Sequence, residues 1–158
     1  MRHLPKHLQP RWRYLAVAFE TWYDTTLERD GFQRSLWYGA QNLLGDPGSA
    51  ALDLSVLRFR SGPGGGEALV RTRRGEVERA RAVLACLDAV DGDPIGLQVR
   101  GVSGTVRACE EKYMGDRPEE SEKRDVAFET ADRPAVVRGN RLDVRVDGTF
   151  VGATTLEP

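Results

Sequence analysis

The chain has 158 residues, 23 Lys+Arg against 24 Asp+Glu, a formal net charge of −1 and 40% hydrophobic residues. That is room for one domain with a real core plus an appendage, and too little for two full domains. No run approaches the roughly 18 apolar residues of a membrane span, and the basic N-terminus lacks a secretory apolar core before Pro10, so a soluble, intracellular protein without membrane contacts is expected.

Residues 11 to 21 are apolar on both parities beyond Arg13, which predicts a central strand. Asp24 or Thr25 then caps a long helix to about Leu44, closed by Gly45. Residues 52 to 60 and 67 to 73 read as strands joined by the loop Ser61 to Gly66, a hairpin. Glycines 64 to 66 invite a phosphate-loop reading, which fails because no Gly-Lys-Ser/Thr follows and a strand comes next. A second helix runs from about Gly75 to Ala89, with Val77, Ala80, Leu84 and Leu87 at helical spacing. Ile95, Leu97 and Val99 alternate with polar residues in a fourth strand; beyond Ser103 the spacing Val106, Cys109, Tyr113 turns helical. The order β-α-β-β-α-β-α predicts an α+β fold: a ferredoxin-like split β-α-β sandwich, RNA-recognition-motif-like in plan, with an added C-terminal helix.

Residues 115 to 125 read as a charged linker, and residues 126 to 158 as an accessory extension in which two tight hairpin turns, at Gly139-Asn140 and Asp147-Gly148, make a small β-meander. Basic residues prevail up to residue 114 and acidic ones beyond it. Only Lys6, Lys112 and Lys123 among the cations are lysine, and arginine is the residue that grips phosphate bidentately and stacks on bases.

No set of residues makes a convincing hydrolytic centre. Asp88, Asp91 and Asp93 fall at a turn whose chemistry explains them, and His3 and His7 lie among prolines, Pro5 between them and Pro10 beyond, that exclude the helix a zinc pair would need. Cys86 and Cys109 form no Cys-x-x-Cys pair and fall on apolar helix faces, which predicts reduced core residues. Trp37 and Tyr38 form an aromatic side of the first helix that reads equally as core or as a partner contact.

The basic constellation is better developed. Arg11 and Arg13 enter the first strand with Trp12 and Tyr14 between them; Arg71 and Arg73 share one face of the third strand and Arg74 follows; Gln98 and Arg100 share one face of the fourth. Alternation sets these groups on or beside the helix-free face of the sheet. Between Arg100 and Arg107 the turn Ser103-Gly104-Thr105 opens the third helix, whose first N–H groups favour an anion, although Ser103 or Thr105 would equally serve as a plain helix cap.

Three segments, in order, resemble the archaeal ribonuclease P protein component 2 family (Pop/Rpp type): Leu4-Pro5 through Arg13-Tyr14-Leu15, Val70-Arg71-Thr72-Arg73-Arg74, and Arg100 through Tyr113. The resemblance covers residues 1 to 114. It implies a cytoplasmic, RNA-binding subunit of ribonuclease P (an endoribonuclease) whose RNA partner cleaves precursor tRNA with Mg²⁺, the protein itself holding no cofactor and no metal. It further implies a pairing with component 3, other protein subunits and a homodimer contact in the assembly. The residues expected to touch RNA are Arg11, Arg13, Arg71, Arg73, Arg74, Arg100, Ser103, Gly104, Thr105, Arg107 and Lys112, with none catalytic. The rival reading is a ferredoxin-like regulatory module whose Ser-Gly-Thr turn holds a metabolite carboxylate.

Overall fold

The computed structural model describes residues 11–115, 121–128, 131–138, 141–146 and 148–154. The segment holding His3 and His7 lies outside them. The first strand, β1 (Trp12–Glu20), is central as its apolar composition requires: it pairs antiparallel with β3 (Gly65–Arg73) on one side and β6 (Gly96–Ser103) on the other. With β2 (Ser55–Gly62) outside β3, the sheet order is β2-β3-β1-β6, all antiparallel, as the split β-α-β plan demands. Leu15, Val17 and Phe19 of β1 point to one face with Ala68 and Val70 of β3, and there they meet Phe32, Leu36 and Ala40 of α1 (Arg29–Leu52) and Ala80, Val83 and Leu84 of α2 (Val77–Cys86).

Alternation sends Ala16 and Leu69 to the other face, where α3 (Val106–Tyr113) packs through Cys109, Val106 and Tyr113. The face expected to be free of helices is therefore partly covered by the added helix. The close seat depends on Gly101, because a Cβ there would lie 2.3 Å from the Tyr113 ring.

The boundaries depart from expectation for local reasons. Helix α1 starts at Arg29, after an uncapped Glu28: Asp24 pairs with Arg145, and Thr25 lies in a turn of its own, its N–H donating to the Trp22 carbonyl. At Gly45 (φ 74°, ψ 175°) the helix breaks as its sequence implied, but a second segment resumes at once, tolerating Pro47 in its first turn. Helix α2 ends at Cys86 rather than Ala89, because Asp91 (φ 49°) and Gly92 (φ 84°) turn a minute hairpin between β4 (Ala89–Val90) and β5 (Asp93–Pro94). Cys86 is exposed, so only Cys109 is the core cysteine expected of both. The hairpin tip is Pro63-Gly64, and Gly65 and Gly66 already open β3, where a Cβ on Gly65 would sit 2.2 Å from the Phe19 carbonyl oxygen.

A second antiparallel sheet follows the order β10-β9-β8-β7, with β7 (Ser121–Phe128), β8 (Ala131–Arg138), β9 (Arg141–Val146) and β10 (Thr149–Thr154). The meander thus has four strands, and β7 takes in the second half of the stretch read as a linker. It meets the main sheet at Trp22, which is 2% exposed, stacks on Phe150 with ring centroids 4.0 Å apart and donates its indole N–H to the Gly148 carbonyl at 3.1 Å. Removing everything after Gly115 uncovers that indole and costs about 2 kcal/mol, while the main sandwich still melts cooperatively; calorimetry of the truncated chain checks both, and loss of the transition would make the meander part of the core.

Candidate nucleic-acid interface

The ends of β1, β3 and β6 and the start of α3 converge at one end of the main sheet. Trp12 lies directly opposite Arg73, and Tyr14 lies between Arg71 on one neighbouring strand and Ser103 on the other. These residues share the parity of Ala16 and Leu69, hence the α3 side of the sheet. The Arg71 guanidinium sits over the Trp12 ring at 3.8 Å from its centroid, and that of Arg73 at 5.2 Å, a double cation–π stack. Arg73 also pairs with Asp53 at 3.3 Å. Arg71 Nε is buried without a hydrogen-bond partner among the described residues, an expensive condition for a charged group and one that an incoming acceptor would relieve.

The remaining expected residues divide. Arg11 and Arg74 are both exposed and joined through the backbone, Arg74 N–H to Arg11 carbonyl at 2.8 Å. Arg13 has the opposite parity from Trp12 and donates to the Trp12 carbonyl; it reaches the α3 turn, because a Cβ built on Gly104 would lie 3.7 Å from its nitrogen. Thr105 is a true N-cap, its hydroxyl accepting from Ala108 N–H at 3.1 Å, so the plain cap reading holds for that side chain. Arg107 is exposed and paired with Glu111 one turn on at 2.9 Å. Lys112 lies exposed in the last turn of α3, away from the turn where Ser103 and Gly104 sit.

Arg100 is placed differently from the alternation argument. The pairing slips between Ala16 and Val17, which face Gly101 and Val99, so Arg100 is the extra residue of a β-bulge and its face is not set by the strand period. It is exposed beside the edge rather than in line with Gln98. Nothing in a two-residue alternation announces such a bulge; Gly101 is its one local sign.

The other chemistry is spoken for. Asp91 pairs with Arg34 at 3.6 Å, and among the described residues no group of three or more His, Cys, Asp or Glu converges to hold a metal. Burial pushes the Cys109 thiol up to about 11, with the Glu110 carboxylate adding to it, so this sulfur is protonated and unreactive at neutral pH.

Fold and surface together define a ferredoxin-like α+β sandwich that collects arginines around two aromatic rings at one end of its sheet. The chain belongs to the Rpp14/Pop5 family, whose model matches residues 13–114. It is 63% identical over 157 residues to the ribonuclease P protein component 2 of Natronomonas pharaonis, a match covering 99% of this chain and 98% of that protein. The protein of the same name from Methanosarcina mazei is 34% identical over 116 residues, which is 95% of its own length but 73% of this chain. Part of this chain therefore has no counterpart there, and the family match ends just before the second sheet. Among solved structures, a chain of yeast ribonuclease MRP has the same fold, with a TM-score of 0.50 at 12% identity over 63% of this chain and 79% of that one.

Proposed function

We propose that the chain is the RNA-binding protein subunit of ribonuclease P, supporting the catalytic RNA that removes the 5′ leader from precursor tRNA in the cytoplasm. The full-length similarity to the Natronomonas protein of that name carries this reading. Hydrolysis belongs to the RNA with its Mg²⁺, and component 3, other protein subunits and a second copy of the chain are the protein partners that the family resemblance implies.

The work of this chain is electrostatic. Folded RNA crowds phosphates together, and without protein that repulsion must be met by Mg²⁺. Arg11, Arg13, Arg73 and Arg74 extend from adjacent strand ends, and Arg71 is stacked over Trp12 with a donor awaiting an acceptor. Preordered guanidiniums neutralise phosphate with little further loss of side-chain freedom, so the RNA's metal site forms at lower Mg²⁺.

The double variant Arg100→Ala/Arg107→Ala tests the turn. Both side chains are exposed, so folding survives, and RNA affinity falls about tenfold after allowance for solvent screening. The reconstituted particle then needs more Mg²⁺ for cleavage. A variant that matches wild type across the whole Mg²⁺ titration would reduce the turn to the helix cap that Thr105 already provides.

A further inference from the structure

A second ligand site lies on the opposite edge of the sheet, along the seam between α1 and β2. Arg29, Gln33 and Trp37 recur every four residues and form one stripe down α1. Each bonds to the backbone at the start of β2. Gln33 accepts from Val56 N–H at 2.7 Å and donates to the Leu54 carbonyl at 3.1 Å; Trp37 donates its indole N–H to the same carbonyl at 3.0 Å; Arg29 donates to the Val56 carbonyl. The helix thus stands in for a fifth strand at this end of the edge.

Outside the seam is a cavity of about 540 Å³, large enough for one nucleotide. Its walls carry three guanidiniums, Arg29, Arg34 and Arg71, against the carboxylate of Asp30, 3.6 Å from Arg29, and the Arg34 head also meets the exposed Asp91 at 3.6 Å. Trp37 lines it as well, its indole pinned by the Leu54 carbonyl yet 49% exposed. A fixed, half-exposed indole beside an excess of arginine is the arrangement that stacks an unpaired base and holds its phosphate. Arg71 belongs to both sites, lining this cavity while its guanidinium lies over Trp12, and its Nε has no hydrogen-bond partner among the described residues.

We propose that this groove is a subsite for an unpaired RNA nucleotide, its base stacked on Trp37 and its phosphate held by Arg34 and Arg71, from which the strand continues toward Trp12. The proposal rests on the reading that the chain binds RNA. A peptide adding itself to the sheet is disfavoured here, because the edge groups it would pair with at Leu54 and Val56 are already taken by the stripe. The exposed Tyr38 and Leu43, which would suit a protein partner, do not line the groove.

The test is binding of the full chain to a short oligoadenylate and, separately, to ribonuclease P RNA. Trp37→Ala weakens oligoadenylate binding about tenfold, the loss expected of one stacked base. Arg34→Ala weakens it less, and Trp37→Phe retains part of the stacking. Arg81→Ala, on the exposed face of α2, leaves it unchanged. Melting curves accompany each variant; if Trp37→Ala does not fold, Trp37→Phe and Arg34→Ala decide. Oligoadenylate affinity unaltered by these substitutions overturns the subsite. Wild type that binds ribonuclease P RNA but no oligoadenylate overturns it too and leaves the broader reading standing, whereas failure to bind either RNA overturns both.

Discussion

The triple variant Trp12→Ala/Arg71→Ala/Arg73→Ala binds ribonuclease P RNA at least about 100-fold more weakly than wild type and melts close to it. The loss combines one stacked base, worth about 1–3 kcal/mol, with two charge-assisted phosphate contacts that partial exposure discounts to about 1 kcal/mol each. The fold tolerates it because Trp12 and Arg71 are half-buried at the rim and Arg73 is exposed, with its Asp53 partner also at the surface. Losing two phosphate contacts also flattens the dependence of log affinity on log salt by about 1.4, taking ~0.7 per contact for unpaired RNA. Titrations at several potassium concentrations read both quantities. An unchanged affinity with an unchanged slope would mean that this stack faces solvent or protein, and not RNA.

Phe32→Ala acts on the opposite side of the sheet and through packing alone. Phe32 is fully buried, its ring 5.8 Å from that of Phe19 and 5.6 Å from that of Phe59, where α1 crosses β1 and β2. Truncation leaves a cavity between helix and sheet that they close only in part, at about 3–5 kcal/mol. Typical domains have about 5–15 kcal/mol in total, so the variant loses between about a fifth and all of such a margin. Denaturant unfolding gives the number; a loss below about 1 kcal/mol would show that the core repacks around the gap.

Period and turn chemistry made the main sandwich readable. β1 is central because its residues are apolar on both parities, and each parity proves to have its own helix layer: Leu15, Val17 and Phe19 for α1 and α2, Ala16 for α3. That double burial is the sign, in the composition of the strand itself, that the second face of the sheet is partly covered. The late start of α1 was not readable, since Asp24 is a good cap in isolation and its partner, Arg145, lies far along the chain. Of the site, Trp12 between Arg11 and Arg13 could be seen as a pattern, and so could the shared parity of Arg71 and Arg73. Their convergence on one ring depends on strand register, which pairs Trp12 with Arg73 and which no local window contains. The groove beside Trp37 stayed hidden because its spacing of four looks like any amphipathic helix until the edge of β2 is set beside it.

The central claim, that the chain serves an RNA catalyst, is tested most directly by isolating the assembled particle through a tag on the full-length chain and assaying precursor tRNA cleavage before and after digestion of its RNA. Cleavage that co-purifies with the chain and disappears with the RNA, while the protein stays intact, is the predicted result. Cleavage that persists once the RNA is gone, or a particle that contains no RNA, would contradict it.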